Sequence, residues 1–248
     1  MSEKKIALVT GALGGIGSEI SRSLIAEGYK IIATHVPREE AREVKRLKDE
    51  GFNEYDFRFV FGDLTNHETM TTAINEAIEA EGRVDVLVNN AGVTRDAVFK
   101  KMSYEHWSDV LDINLKTLFT VTQPVFNKML EQKSGRIVCI SSVNGIKGQF
   151  GQANYAATKA GMIGFIKSLA LEGARSGVTA NVVAPGYTAT PMVTAMREDV
   201  IKSIEAQIPA QRLATPEEIA AAVMYLVSDQ TGYVTSETLS VNGGLYMQ

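Results

Sequence analysis

Short β-branched runs alternate with longer helical stretches along the whole chain, and few architectures accept that pattern. Residues 6–9 read as a first strand and 15–27 as a helix closed by Gly28. A strand at 30–34, a helix at 38–50 and a strand at 57–61 follow. The series continues with a helix near 66–81, a strand at 84–88, a long helical region near 103–131 and a strand at 136–140. It closes with a helix at 154–175, a strand at 179–183, a helix at 216–228 and a strand at 238–241. Parallel strands need long crossovers, and each crossover here contains a helical stretch. The pattern predicts one α/β domain over residues 1–248. Its sheet is expected to be doubly wound and parallel, with about seven strands and helices on both faces.

Two helix starts carry capping chemistry. Thr65 with Glu68, and Thr215 with Glu218, have the spacing by which a hydroxyl and a carboxylate satisfy free backbone N–H groups. Pro216 would take the first helical position, where a missing N–H does no harm.

Composition excludes several function classes. The net charge is −4 with no basic block, which argues against nucleic acid as a partner. The single cysteine, Cys139, lies in an apolar run and reads as a buried hydrophobe in a reducing compartment. His35, His67 and His106 are scattered without metal-ligand spacing, so no metal is expected. The N-terminus leads into a strand with no cleavable apolar segment. The longest apolar stretch, 219–227, is much shorter than the ~20 residues of a membrane span. A soluble, cytoplasmic protein with no membrane partner is expected.

In an open parallel sheet, ligands bind beyond the carboxyl ends of the strands. The first strand runs into Thr10-Gly11-Ala12-Leu13-Gly14-Gly15-Ile16-Gly17, which opens a helix. A Cβ there would obstruct the turn, the approach of a pyrophosphate and close helix–strand packing. The helix N-terminus offers free N–H groups to phosphate. The glycines follow Gly-x-x-x-Gly-x-Gly, which, with the chain length, resembles the short-chain dehydrogenase/reductase superfamily. The resemblance implies a Rossmann-like sheet with a dinucleotide held by Gly11, Leu13, Gly14, Gly15, Ile16 and Gly17.

The end of the second strand bears on the choice of dinucleotide. An NAD site usually carries a carboxylate there for the ribose 2′-hydroxyl. This chain instead reads Thr34-His35-Val36-Pro37-Arg38, with Arg42 beyond. Without a carboxylate to repel a 2′-phosphate, NADPH is expected, with Arg38 the first candidate ligand and Arg42 the second. Either arginine alone could equally be a solvated surface charge. Two further strand ends match motifs of the superfamily. The resemblance places Asp63 and Leu64 at the adenine, and Asn90, Ala91 and Gly92 beside the nicotinamide ribose. Read by themselves, Asp63 and the Asn-Asn-Ala-Gly string are turn residues. Pro185, Gly186 and Thr188, together with Tyr155 and Lys159, the lysine at the ribose hydroxyls, complete the implied cofactor set.

Tyr155 and Lys159 lie one helical turn apart on one face. A free phenol has a pKa near 10, and a nearby ammonium would lower it toward useful proton exchange. Such a tyrosine could protonate a carbonyl oxygen as hydride arrives at carbon. Ser142, thirteen residues upstream at a strand end, matches the superfamily spacing. It would hold the carbonyl oxygen, with its neighbour Ser141 as the rival. Asn114 sits in a helical stretch that an asparagine does not favour. The resemblance gives it a backbone and water contact in a proton relay with Lys159. A serine hydrolase is excluded by the missing Gly-x-Ser-x-Gly elbow.

Within the superfamily the chain resembles most the reductases of short 3-oxoacyl thioesters, those acting on acetoacetyl-CoA and those acting on acyl-carrier-protein substrates. Residues 89–96, 152–161, 184–186 and 241–244 carry that resemblance, and the first two strings recur in both groups. Carrier-protein reductases often have Arg before the second loop glycine, where this chain has Gly14. Residues 142–152 look like the acetoacetyl-CoA reductases. They imply an acyl pocket of Gln149, Phe150, Gln152 and Tyr187, with Asp96 at its mouth. Arg95, Lys100, Lys101, Lys147 and Arg197 are candidates for the phosphates of an acyl-CoA, or plain surface charges. Residues 187–208 mix polar and apolar residues after a strand and are expected to form a substrate lid. The implied reaction is reduction of acetoacetyl-CoA by NADPH to the (R)-3-hydroxyacyl-CoA. A nucleotide-sensing module without turnover would be expected to lack the Tyr–Lys pair or the serine. A sugar or steroid dehydrogenase would share the catalytic group and differ in the pocket loop. Small residues Ala160, Gly161, Gly164 and Gly173 on the helix after Tyr155, with the resemblance, imply a homotetramer packed through that helix.

Overall fold

The computed structural model describes residues 4–35 and 51–247. The helix expected at 38–50, and with it Arg38 and Arg42, lies outside the described residues. The strands are β1 (Ile6–Thr10), β2 (Lys30–His35), β3 (Phe57–Phe61), β4 (Val86–Asn89), β5 (Gly135–Ile140), β6 (Val178–Pro185) and β7 (Thr238–Val241). They form one sheet of order β3-β2-β1-β4-β5-β6-β7, with every pair parallel. The described helices are α1 (Gly15–Ala26), α2 (His67–Glu81), α3 (Tyr104–Leu111), α4 (Thr117–Gln132), α5 (Val143–Lys147), α6 (Ala153–Gly173), α7 (Pro191–Thr194), α8 (Glu198–Glu205) and α9 (Pro216–Val227).

Both faces of the sheet are buried, as a parallel sheet demands. In β1 the side chains alternate between two cores. Ile6 and Leu8 join residues of α2, α4 and α6, whereas Ala7 and Val9 join residues of α1 and α9. The chain winds outward from β1 through β2 to β3, then returns to place β4 on the other flank of β1. That reversal opens a crevice at the carboxyl ends of β1 and β4. Among the described residues, no helix is long and apolar enough to cross a membrane.

Several local expectations are corrected. The helical region at 103–131 divides into α3, a π-helical turn at Asp112–Lys116, and α4. The extra residue of such a turn marks functional sites more often than ordinary helix does. Thr65 does not cap α2: its hydroxyl donates to Asp63 Oδ1 at 2.7 Å, and Asn66 takes the cap instead. The Thr215–Glu218 capping box is present, with Pro216 in the first turn. The strand expected from Val84 begins at Val86, because the Gln132 amide takes both the N–H and the carbonyl of Val84.

Candidate active site

The loop after β1 is built by glycine. Gly11 has φ +63°, and its carbonyl accepts from Gly14 N at 3.0 Å. A Cβ at Gly17 would strike the Gly11 carbonyl oxygen and come within 2.7 Å of Asn90 Nδ2. One at Gly15 would lie 2.9 Å from Thr190 Cβ. The N-terminus of α1 has no side-chain cap and no acid in its first turn. It therefore presents free N–H groups and the positive end of its dipole. These features fit the pyrophosphate of a dinucleotide.

Asn90 ties that loop to β4. Its Nδ2 donates to the Thr10 and Gly11 carbonyls at 3.1 Å each, while Thr10 Oγ1 accepts from Asn90 N and Ala91 N at 2.9 Å each. Ile16, Asn90 and Gly92 face a cleft of about 280 Å³. Leu13 instead packs into the core, so it can offer the loop only its backbone. Asp63 and Leu64 lie at the end of β3 outside this cleft, and hydrogen bonds from Thr65 hold the Asp63 carboxyl below the usual range.

The cleft brings together Ser142, Tyr155 and Lys159 with Pro185, Gly186, Tyr187 and Thr188 at the end of β6. Ser142 follows β5 and caps α5, its hydroxyl accepting from Asn144 N at 3.1 Å. Ser141 is committed elsewhere: its hydroxyl donates to the Lys159 carbonyl at 2.8 Å. That bond leaves Ser142 as the hydroxyl available to substrate. Asn114 sits in the π-helical turn and clasps Val93, accepting from its N–H at 2.8 Å and donating to its carbonyl at 2.9 Å. Gly92 links the two halves of this arrangement, since a Cβ there would lie 3.2 Å from Asn114 Oδ1 and 3.6 Å from Lys159 Nζ.

Lys159 is wholly buried, and burial lowers its amine from 10.5 to about 8. Its Nζ donates to the Ile140 carbonyl at 2.7 Å and lies 5.5 Å from the centre of the Tyr155 ring. The sequence leads one to expect a lowered Tyr155, but the protein raises it. Burial is the largest cause, opposed by the hydrogen bond with Ser142 and assisted by the charge of Asp96. Desolvation disfavours a phenolate more strongly than its polar surroundings here favour one.

The acyl-pocket residues divide. Gln152, Tyr187 and Asp96 line the cleft, but Gln149 and Phe150 do not. Gln149 accepts from Lys147 Nζ at 2.7 Å, and Phe150 is 82% exposed on the loop between Gly148 and Gly151, both of positive φ. Val93, Thr94, Val143 and Asn144 also line the cleft and adjoin residues already singled out. Thr190, Val193 and Met196 reach it from the segment at 187–208, which carries α7 and α8. Of the candidate phosphate ligands, Arg95 pairs with Asp109 at 3.5 Å and Arg197 with Asp199 at 2.9 Å. Gly161 and Gly173 owe their size to packing within the chain, against Leu115 and against Val178 and Phe126, whereas Gly164 faces open space.

Residues 5–201 match the family described as short chain dehydrogenase. The chain is 78% identical over 247 residues to the acetoacetyl-CoA reductase of Acinetobacter sp. (strain RA3849), covering 100% of both chains. It is 47% identical over 244 residues to the acetoacetyl-CoA reductase of Cupriavidus necator, covering 98% of this chain and 99% of that one. It is 46% identical over 246 residues to the 3-oxoacyl-[acyl-carrier-protein] reductase of Escherichia coli (strain K12), covering 99% and 98%.

Proposed function

The chain belongs to the short chain dehydrogenase family, and from that premise we propose that it reduces acetoacetyl-CoA to (R)-3-hydroxybutanoyl-CoA with NADPH. One observation carries the reading: Ser142, Tyr155 and Lys159 face a single cleft that the glycine loop also borders. Similarity to the Acinetobacter reductase, and Gly14 where carrier-protein reductases often have arginine, favour the CoA ester.

The bound NADPH supplies the hydride that reaches C3 of the substrate. The loop from Gly11 to Gly17 would hold its pyrophosphate, Asn90 to Gly92 and Lys159 would border its nicotinamide ribose, and Arg38 or Arg42 would pair with the 2′-phosphate. Ser142 donates a hydrogen bond to the ketone oxygen and polarises it. Tyr155 gives its proton to that oxygen as the C3–H bond forms, so the ketone becomes an alcohol. A phenol raised by burial stays protonated at neutral pH, as a general acid must. Lys159, poised at about 8, then returns a proton to the phenolate. Asn114 fixes the loop at Val93 beside it. Gln152, Tyr187 and Asp96 position the acyl chain, and α7 and α8 close over it to exclude water. Open space at Gly164 and the exposed Leu171, two turns further along the same face of α6, support assembly of four copies through that helix.

The reading is tested by steady-state rates on acetoacetyl-CoA and an acetoacetyl carrier protein, each with NADPH and NADH. It predicts kcat/KM at least about tenfold higher for the CoA ester. It also predicts about 10- to 100-fold preference for NADPH, the worth of a charge-assisted phosphate contact. A large excess for the carrier protein would reverse the substrate assignment.

A further inference from the structure

Three side chains from separate segments form one hydrogen-bonded line along the wall of the cleft. Gln152 Nε2 donates to Asp96 Oδ2 at 2.9 Å, and Asn144 Nδ2 donates to Gln152 Oε1 at 2.9 Å. One step further, the backbone N–H of Asn144 donates to Ser142 Oγ at 3.1 Å. A carboxylate can only accept, so Asp96 draws the Gln152 nitrogen toward itself and turns its oxygen to Asn144. Asn144 must then offer its own nitrogen. The result is an orphan: Asn144 Oδ1 is buried without a partner. Buried acceptors are seldom left unpaired without a reason. Here reversing the Asn144 amide would set its oxygen against Gln152 Oε1, so the polarity of the line is imposed from the Asp96 end.

We propose that Asp96 is a positioning residue for the reacting centre, acting through Gln152 and Asn144 to fix the turn that presents the Ser142 hydroxyl. The Asn144 N–H occupies one acceptor site of Ser142 Oγ, which leaves the serine hydrogen to donate to the ketone oxygen. The inference rests on the reductase reading above and assigns Asp96 work beyond the pocket mouth.

A double-mutant cycle separates this role from simple contact with substrate. Asp96→Ala and Asn144→Ala are each expected to lower the single-turnover rate of hydride transfer about tenfold. The double variant should be no slower than either, because both break the same line. Losses that multiply to about a hundredfold would overturn the proposal, as would an unchanged rate in Asp96→Ala. Should Asp96→Ala fail to fold, Gln152→Leu interrupts the line at its middle and is read in the same way. The cycle is run on acetoacetyl-CoA and on ethyl acetoacetate, which lacks the CoA arm. Wild-type turnover of the ester alone would refute the thioester reading, while the ester cycle would still decide on the line itself.

Discussion

Tyr155→Phe is expected to lower kcat by about 10³-fold and to leave the affinity for NADPH within about threefold. The substitution removes one oxygen and keeps the ring, so the packing of α6 is preserved. What disappears is the phenol that faces the cleft with Ser142 and Lys159. Ser142 can still polarise the ketone, but an alkoxide would then form with no proton donor in place. Cofactor binding should persist, because the glycine loop and the Asn90 ties do not involve the phenol. Stopped-flow hydride transfer with a parallel NADPH titration reads both quantities. A kcat within tenfold of wild type would remove Tyr155 from the mechanism.

Lys159→Met should abolish most turnover and, unusually for a buried site, stabilise the protein. Burial holds the amine at about 8 instead of 10.5, a penalty of roughly 3 kcal/mol on the charged form. Methionine removes that penalty and forfeits the bond to the Ile140 carbonyl, worth about 1 kcal/mol. A net gain of about 2 kcal/mol at neutral pH should raise Tm by several degrees. The sign can be followed with pH. Below about 8 both folded and unfolded chains carry the Lys159 proton, and the folded state bears the full penalty. Between about 8 and 10.5 the unfolded chain binds more protons at this site, so wild-type stability gains on the variant. Cys139 acts in the opposite sense above its ordinary 9.0, since burial pushes the thiol to about 12; that burial is common to both proteins, and only the smaller lowering by the Lys159 charge is lost in the variant. Turnover should fall at least a hundredfold. A variant less stable than wild type at pH 7, or a stability difference that widens toward pH 10, would contradict this account.

The succession of strands and helices along the chain was legible because β-branched runs and helical stretches keep different periods, and glycines mark their junctions. The cleft was legible wherever chemistry depends on residue type at a strand end. Tyr155, Lys159, Ser142 and Asn90 meet around one cavity because a doubly wound sheet gathers those ends. The parts that escaped depend on competition between neighbours. Thr65 and Asn66 could each cap α2, and only the claim of Asp63 on the Thr65 hydroxyl decides between them. A π-helical turn has no composition of its own, so Asn114 could be read only as an ill-suited helix residue. Gln149 and Phe150 fall outside the cleft because two positive-φ glycines turn their loop outward, and backbone direction is not written in residue type. The upward shift of Tyr155 was hidden for a similar reason: spacing shows that Lys159 is near, whereas burial is a property of the whole fold.

In the proposed reaction a hydride reaches C3 of acetoacetyl-CoA in the cleft that Tyr155 and Ser142 share. Reduction with NADPH carrying deuterium at both C4 positions of the dihydronicotinamide ring tests it most directly, with the product analysed by mass spectrometry and NMR. The expected product is 3-hydroxybutanoyl-CoA with a single deuterium at C3, formed in step with NADP+. Consumption of NADPH without deuterium at C3, or no consumption above the substrate-free control, would contradict it.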